Sequence, residues 1–349
     1  MKVVFDTERM KYAHTGLYHY CLNLGNALLT AKPSHADLYF YHNEKSPLVF
    51  GEDKNYIRQK SLQKFLKPSW KGYDVYHANF QLSPYLPNKG KCKVVLTIHD
   101  LNFIAEGKSP EKVKKYLAKV QRNIDRADAV VAISKFVKED VEKHCDLKGK
   151  EIQVIYNGST IDASKINLAS PNSPIDGPFM FSIGTIARKK NFHVLPYLLV
   201  GNDFKLVISG IVQEENYQEE ILQIAKELQV EDRVLLTGPI SEEEKYSYLK
   251  HCSLFVFPSI AEGFGLPVIE AMTFGKKVLL STYTSLPEVG GPEAFYLESV
   301  DKDYLMAFGA ERLKSIIASA DRSNEIKAWA SQFTWDKAAA EYWQIYQSI

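Results

Sequence analysis

The stretch LFVFPSIAEGFGLPVIEAMTFGKKVLL, residues 254–280, carries the pattern that decides the fold. It opens with a short apolar run, passes through a loop that contains Gly263 and Gly265, and continues into a helical segment that leads to a second apolar run. Pro267 stands early in that segment, where the missing N–H of a proline costs no hydrogen bond. A strand, a glycine loop, a helix and another strand are typical of one unit of a parallel α/β sheet.

The same alternation recurs on both sides of this stretch. Short and almost continuously apolar runs are expected of strands that are covered on both faces. They lie at residues 2–6, 37–42, 74–78, 93–99, 128–134 and 152–156, and again at residues 179–184, 204–210, 233–238, 254–259, 276–282 and 294–298. Helical stretches separate several of these runs, so the pattern predicts an α/β fold with parallel sheets.

A change in composition divides the chain. Residues 157–178 are rich in Ser, Asn, Pro and Gly and are interpreted as a linker. The length of 349 residues also exceeds what a single core usually reaches. We therefore predict two doubly wound, Rossmann-like domains that face one another across a cleft, over residues 1–165 and 166–330. The last segment, 331–349, has the apolar spacing of an amphipathic helix.

Charge is distributed unevenly between the two halves. Residues 1–165 carry a net charge of +9 and residues 166–349 one of −8, so the first half is expected to face an anionic partner. Part of the positive charge lies in residues 111–126, which are either a solvated helix or a contact with anionic lipid or a phosphorylated acceptor. The overall net charge of +1 argues against a dedicated nucleic-acid binder.

Other sequence signals bear on location and on metals. The chain contains no run of about 18 apolar residues and begins without the apolar core of a signal peptide. We therefore expect a cytoplasmic protein, with peripheral contact at the inner face of the membrane. No histidine–cysteine cluster has the spacing of metal ligands, so no metal is expected in the site.

Two carboxylates bracket the glycine loop of the opening stretch. Glu262 lies on the loop, and Glu270 follows eight residues later inside the predicted helix. The first turn of a helix attracts phosphate and sugar oxygens because its amides are unpaired and its dipole is positive there. Carboxylates beside such a site suit hydroxyl groups, which donate hydrogen bonds to them. Sugar and ribose hydroxyls fit both residues; the alternative is that the acids only complement the helix dipole.

Two further strand ends carry candidate residues. In FSIGTIARKKNF (181–192), Arg188, Lys189 and Lys190 follow a predicted strand, where cations can neutralise a diphosphate leaving group. In VVLTIHDLNF (94–103), a strand ends at His99, which can bind a hydroxyl or shape the reacting face; a packed histidine is the alternative.

The pattern PS-x2-EGFGLP-x2-EAM-x2-G, followed by SLPEVGG at 285–291, resembles the E-x7-E region of the retaining glycosyltransferases of the GT-B fold, the group 1 or family 4 class. The resemblance implies that Glu262 contacts the transferred sugar and that Glu270 holds the nucleotide ribose. It also implies that backbone groups meet the sugar and the diphosphate at Gly263, Phe264, Gly265 and Leu266.

The basic turn resembles the family's G-T-I-E-P-R-K-N. Lys190 falls on the family's Lys, Lys189 on its Arg and Arg188 on its Pro. Arg188 and Lys189 therefore remain alternatives for the second diphosphate contact. His99 resembles the His of the family's T-x-H-D, near the donor sugar, and Gly16 resembles an early Gly beside the diphosphate.

The resemblance implies a retaining hexosyltransferase, with mannose as the favoured sugar. Its donor would be a nucleotide-sugar, GDP-mannose before a UDP-sugar, and it would need no other cofactor. Its acceptor would be a glycan, lipid-linked or not, in polysaccharide or lipopolysaccharide and O-antigen biosynthesis. The segment 331–349 would cross back to the first domain. The alternatives are a sugar-nucleotide epimerase of the same fold and a non-catalytic sugar-binding protein.

Overall fold

The computed structural model describes residues 1–12, 15–66, 68–90, 92–163, 165–166 and 173–349. The chain divides into two compact units, one of Met1–Thr160 with Phe333–Ile349 and one of Ile161–Gln332. The second unit thus begins after Thr160, earlier than the predicted boundary after residue 165. The predicted linker, 157–178, lies in part outside the described residues.

Every strand pairing in the described part of the chain is parallel. The strands are β1 (Lys2–Asp6), β2 (Asp37–Asn43), β3 (Asn55–Gln59), β4 (Val75–Ala78), β5 (Lys93–Ile98), β6 (Ala129–Ala132), β7 (Ile152–Val154), β8 (Phe179–Ile183), β9 (Lys205–Ser209), β10 (Val234–Gly238), β11 (Leu254–Phe257), β12 (Val278–Ser281) and β13 (Phe295–Leu297). The predicted α/β fold class is confirmed.

Helices follow most of the strands, as the alternating pattern predicts. The α-helices are α1 (Gly16–Thr30), α2 (Pro110–Arg126), α3 (Lys135–His144), α4 (Glu215–Glu227), α5 (Glu242–His251), α6 (Leu266–Thr273), α7 (Leu286–Gly290), α8 (Lys302–Glu311), α9 (Leu313–Ala318), α10 (Ser323–Ala330) and α11 (Trp335–Ser348). Pro110 and Pro267 occupy first-turn positions of α2 and α6, where proline is tolerated. None of these helices is both long and apolar enough to cross a bilayer.

Each unit is built on one sheet with a reversal of strand order. The first sheet has the order β3-β2-β1-β4-β5-β6-β7 and the second the order β10-β9-β8-β11-β12-β13. The order reverses between β1 and β4 and between β8 and β11. Ligands of doubly wound sheets bind beyond the carboxyl ends of the strands at such a point. The reversals therefore indicate where each unit binds its ligand.

Sequence analysis did not identify β3, because this strand lies at the edge of the sheet. It pairs only with β2, at the edge of the sheet, and its sequence NYIRQ is half-exposed. An edge strand has no need of the continuous apolar run that marks a strand covered on both faces. The pattern that located the central strands therefore does not locate this one.

The last helix, α11, packs within the first unit. The Tyr342 hydroxyl lies 2.9 Å from the Tyr20 hydroxyl on α1 and 2.8 Å from Oγ1 of Thr97 on β5. The Tyr346 hydroxyl lies 2.6 Å from Nδ1 of His77 on β4. These groups are buried, and their hydrogen bonds satisfy polar atoms that would be costly to leave unpaired. The network fixes α11 against both a helix and the sheet of the first unit.

Candidate active site

The predicted site residues of the second unit gather at the carboxyl ends of β8 and β11. These strands are neighbours at the reversal of the second sheet. A 3-10 turn, Arg188–Lys190, follows β8, and the loop with Glu262 follows β11 and leads into α6. The arrangement brings cations, a carboxylate and the first turn of a helix to one edge of the sheet.

Lys190 and Glu262 form the central contact of this site. The Lys190 ammonium is hydrogen-bonded and ion-paired to Oε1 of Glu262, with side chains 12% and 13% exposed. The ammonium also lies 4.9 Å from the centre of the Phe257 ring. Gly184 leaves room for the lysine stem, because a Cβ there would come within 3.2 Å of Cε of Lys190. Two opposite charges are thus held together in a nearly dry setting.

The basic turn is fixed to the neighbouring loop through its backbone. The carbonyl of Lys189 accepts hydrogen bonds from Oγ of Ser259 at 3.0 Å and from the amide of Ile260 at 2.9 Å. Asn191 closes the turn with a φ of +58°, a conformation that Asn adopts more readily than most residues. The position of Lys190 therefore depends on main-chain bonds as well as on its own ion pair.

Bonds from the segment after β12 fix the loop with Glu262. The Glu262 amide donates to Oγ1 of Thr284 at 3.2 Å. Oγ of Ser285 donates to the carbonyl of Glu262 at 3.2 Å and to that of Phe264 at 2.9 Å. The Phe264 side chain is buried, so this residue can meet a ligand only through its backbone.

Gly265 caps α6 in a conformation that requires glycine. Its φ is +102°, and a Cβ would lie 2.9 Å from a methyl of Leu286. The amides of Gly265 and Leu266 have no hydrogen-bond partner within the part of the chain that the structure describes. They are donors at a helix N-terminus, where the dipole favours an anion.

Glu270 has a cationic partner that sequence analysis missed. Lys245 on α5 lies 3.2 Å from Oε1 of Glu270 and 2.9 Å from Oε2 of Glu242. Burial raises the pKa of Glu270, and the charge of Lys245 opposes that rise. Lys245 is only 8% exposed and, like Leu249 four residues later, is on the buried side of α5. That spacing is the signal by which it could have been found.

Arg188 and Lys189 differ in their surroundings. Arg188 is exposed and turns toward α4, where its guanidinium lies 2.7 Å from Oε2 of Glu220 and packs over the Tyr217 ring. The Lys189 ammonium has no ion-pair or hydrogen-bond partner in the described residues. Of the two alternatives for the second diphosphate contact, Arg188 is thus paired with a carboxylate and Lys189 is not.

His99 follows β5 in the first unit and is 8% exposed. Its Nε2 lies 3.1 Å from the carbonyl of Asn79, and its ring packs edge-on against Tyr20. Because a carbonyl can only accept, Nε2 carries the proton, and Nδ1 of the neutral ring is an acceptor. Burial lowers the pKa of His99 to about 4, so the ring is neutral near pH 7.

Asp6 is a second residue that sequence analysis missed. It ends β1, at the reversal of the first sheet, and is 5% exposed. Its carboxylate accepts hydrogen bonds from the Tyr76 hydroxyl at 2.9 Å, from Oγ of Ser83 at 3.2 Å and from the Glu8 amide at 3.0 Å. Burial and the nearby Glu8 raise the pKa of Asp6 to about 7. Its place at the end of a buried strand is the signal that identifies it.

Gly16 is the first residue of α1, with Thr15 as its N-cap. Among the residues that the structure describes, none has an atom within 4 Å of a Cβ built on Gly16. The predicted residues thus divide between the units: Gly16 and His99 lie in the first, and the basic turn and the glycine loop lie in the second.

Two family models match the chain and together span residues 27–325. The model of Glycosyltransferase Family 4 matches residues 27–163, and that of Glycosyl transferases group 1 matches residues 164–325. The chain belongs to the group 1 and family 4 glycosyltransferases. The family that the motifs resemble is therefore confirmed, and the basic turn and glycine loop lie in the part matched by the group 1 model.

Individual relatives align with most or all of the length of this glycosyltransferase. It is 24% identical over 399 aligned residues to O-antigen chain mannosyltransferase B of Escherichia coli, with all of both chains covered. It is 25% identical to O-antigen chain mannosyltransferase RfbU of Salmonella typhimurium, with 86% of this chain and 88% of the relative covered.

A solved structure supports the fold of this glycosyltransferase. The Anabaena protein Alr3699/HepE, in complex with UDP and glucose, is similar with a TM-score of 0.75 at 17% identity over the whole of both chains. Together with the two parallel sheets, this likeness confirms the GT-B, Rossmann-like fold class.

Proposed function

We propose that this glycosyltransferase transfers a hexose, with mannose favoured, from a nucleotide-sugar to a glycan acceptor with retention of anomeric configuration. The observation that carries the proposal is the Lys190–Glu262 pair beside the N-terminus of α6, at the reversal of the second sheet. A cation for phosphate and a carboxylate for sugar hydroxyls there match the two parts of a nucleotide-sugar.

The cations of the basic turn and the amides at the start of α6 bind the diphosphate. Lys190 binds it from the turn after β8, while Gly265 and Leu266 donate from the first turn of α6. Lys189 is the second cation, since Arg188 is paired with Glu220. Together they stabilise the negative charge that develops on the leaving diphosphate.

The carboxylates of Glu262 and Glu270 accept hydrogen bonds from hydroxyl groups of the donor. Glu262 exchanges its bond to Lys190 for bonds from the transferred sugar once the phosphate engages the lysine. Glu270 accepts from the two ribose hydroxyls. Gly263 and Phe264 present their backbone groups to the sugar. In the first unit, His99 accepts a sugar hydroxyl at Nδ1, and the backbone at Gly16, the first residue of α1, meets the donor diphosphate.

The transfer itself breaks one bond and forms one. The bond between the anomeric carbon and the phosphate oxygen breaks, and the acceptor oxygen bonds to that carbon on the same face, which retains configuration. The acceptor hydroxyl gives its proton to the leaving phosphate oxygen. Lys190 stabilises that oxygen as its charge grows. The protein's own groups thus hold and orient the donor and neutralise the leaving phosphate. No covalent sugar–enzyme intermediate is required.

The donor and the acceptor follow from the relatives. The names of the two O-antigen mannosyltransferases support mannose as the sugar and an O-antigen glycan as the acceptor. GDP-mannose is the donor that the motif resemblance favours. A UDP-sugar is the second candidate, because the Anabaena protein binds UDP and glucose. Such a glycan grows on a lipid, which fits the basic first half of the chain and a place at the inner face of the membrane.

Nucleotide release from a panel of GDP- and UDP-sugars tests the proposal. The assay contains chelator and is run with and without lipid-linked glycan acceptors. Release from GDP-mannose only when acceptor is present, with an α-linked product by NMR, is expected. Release from a UDP-sugar alone would replace the donor, and an inverted product would overturn retention. A new nucleotide-sugar formed without acceptor would favour the epimerase, and loss of activity that Mg²⁺ or Mn²⁺ restores would overturn the metal-free expectation.

A further inference from the structure

An apolar turn projects from the first unit just after β3. Leu62, Phe65 and Leu66 are 64%, 84% and 68% exposed, more than any other large apolar side chain in the described residues. Isolated apolar side chains at a surface need no explanation, but three that are adjacent and this exposed indicate a contact surface.

The turn is anchored from within, so this exposure is built into the fold. The amides of Phe65 and Leu66 both donate to the carbonyl of Leu62 at 3.0 Å, which forms one helical turn. Gln63, on this turn, accepts at Oε1 from the Tyr41 hydroxyl at 2.9 Å and from the Lys60 amide at 2.8 Å. The Gln63 side chain is thus held against the unit while Leu62, Phe65 and Leu66 are exposed.

The turn lies within a basic stretch of sequence between Asp53, which pairs with Lys54, and Asp74. Residues 54–73 contain no Asp or Glu and carry Lys54, Arg58, Lys60, Lys64, Lys67 and Lys71. Exposed apolar side chains within a basic stretch of sequence are suited to a surface that is negatively charged outside and apolar beneath. That description fits a bilayer with anionic headgroups.

We infer that the turn of residues 60–66 docks the protein on an anionic lipid bilayer. Leu62, Phe65 and Leu66 enter the headgroup boundary, and exposed cations of the same stretch, Arg58, Lys60 and Lys71, meet the lipid phosphates. The turn lies beyond the carboxyl end of β3, at the sheet edge where doubly wound folds bind ligands. Docking there brings this edge to a membrane-borne glycan. The inference deepens the proposed function by naming its membrane contact.

Vesicle co-sedimentation tests this docking. The probes are vesicles of phosphatidylcholine with and without 30% phosphatidylglycerol. The full chain should bind the anionic vesicles and release them in high salt, and L62Q/F65Q/L66Q should bind about tenfold more weakly or less. The matched control, L222Q/L235Q, changes two exposed leucines of the second unit, 39% and 43% exposed, and should bind as the unaltered chain does.

Several outcomes separate this inference from its rivals. Equal binding by the triple variant, or equal binding to neutral vesicles, would overturn it. A dimer seen by light scattering for the unaltered chain and lost in the triple variant would assign the turn to a second copy instead. Nucleotide release with a water-soluble acceptor should be the same in the triple variant, because the turn is outside the proposed site. If the unaltered chain released no nucleotide, the result would count against the proposed function and not against docking.

A second inference concerns Lys245. We infer that Lys245 is a positioning residue that keeps the Glu270 carboxylate charged and directed at the nucleotide ribose. It rests on the proposed role of Glu270. Lys245 is nearly buried, its ammonium reaches Glu270 at 3.2 Å, and its bond to Glu242 at 2.9 Å ties it to the first turn of α5. Two ribose hydroxyls can donate to a carboxylate, but a protonated acid must itself donate one bond.

Kinetics of K245M, K245R and E270Q test the role of Lys245. K245M should raise KM for the donor about tenfold, with a smaller effect on kcat, and should move the acid limb of kcat/KM to higher pH. K245R should restore both. A merely structural lysine would lower the yield of folded protein without moving that limb. If E270Q raises KM and K245M does not, the inference is overturned; if E270Q leaves KM unchanged, the proposed role of Glu270 is wrong instead.

Discussion

Lys190 and Glu262 form an ion pair that joins the turn after β8 to the loop after β11. The two side chains are only 12% and 13% exposed, so removing one leaves the other charge poorly solvated and without its partner. A phosphate and a sugar hydroxyl could replace the two partners at once. Under the proposed function, the pair holds the two side chains in place until the donor binds.

Replacing Glu262 with glutamine should lower kcat by about 10²–10³ while the protein stays folded, because an amide keeps the shape but loses the charge-assisted bonds to the sugar. Nucleotide release with acceptor measures the effect, and circular dichroism checks the fold. E231Q, at an exposed position of the second unit, is the matched control and should leave kcat unchanged. Full activity of E262Q would remove Glu262 from the site.

Removing only one charge of the pair should destabilise the second unit. K190M leaves Glu262 buried without its partner and should lower the free energy of unfolding by roughly 2 kcal/mol. The double variant K190M/E262Q leaves no charge there and should recover much of that loss. Urea unfolding of the two variants and of the unaltered chain completes the comparison. Equal stability of the single and double variants would show that the pair is not coupled.

The two other cations of the basic turn should respond differently to removal. K189A should raise KM for the donor by about tenfold, since a charge-assisted bond to phosphate contributes about 1.5–3 kcal/mol. R188A should change KM by less than about twofold, because an exposed pair such as Arg188 with Glu220 contributes little. Steady-state kinetics with the donor varied measures both. The opposite ranking would assign the second diphosphate contact to Arg188.

His77 should make the protein less stable in acid. Burial lowers its pKa from 6.5 to about 3, so between these values the unfolded chain binds a proton that the folded chain does not. Stability from this group is present above pH 6.5 and is lost as the pH falls toward 3, by about 1.4 kcal/mol per pH unit. In H77Q the free energy of unfolding should fall less steeply between pH 6 and 4. An unchanged slope would contradict the assignment.

Asp6 should make the protein less stable as the pH rises, the opposite of the effect of His77. Burial raises its pKa from 3.8 to about 7, so its contribution is present below pH 3.8 and is lost as the pH rises through 7. In D6N that loss disappears, and stability relative to the unaltered chain should improve between pH 5 and 8. Urea midpoints across this range measure the difference. A constant difference between the two proteins would show that Asp6 is charged throughout.

The sequence predicts the central strands and the glycine loop because their signals are local. A strand covered on both faces is apolar along its length, and Gly265 marks the turn that only glycine makes without strain. The motif around Glu262 also lies within one strand–loop–helix unit. These features depend on neighbours in the chain, and a single sequence contains them.

Lys245, Arg188 and Asp6 show what the sequence alone does not supply. The spacing of Lys245 from Leu249 can place it on the buried side of α5, but only the tertiary fold gives it Glu270 as a partner. Arg188 adjoins Lys189 in sequence, and only the position of α4 gives it Glu220. The raised pKa of Asp6 follows from burial between strands far apart in the chain. Each property is set by a long-range contact.

The contacts of α11 also bear on the order in which the protein can be completed during synthesis. The partners of Tyr342 are Tyr20 and Thr97, which leave the ribosome more than two hundred residues earlier. Until α11 is made, the tyrosine and threonine hydroxyls of the first unit lack this partner and a face of its core is uncovered. The second unit does not depend on a segment that is synthesised later, because it is formed by one continuous stretch from Ile161 to Gln332. We therefore expect the unit whose synthesis begins first to complete its fold last.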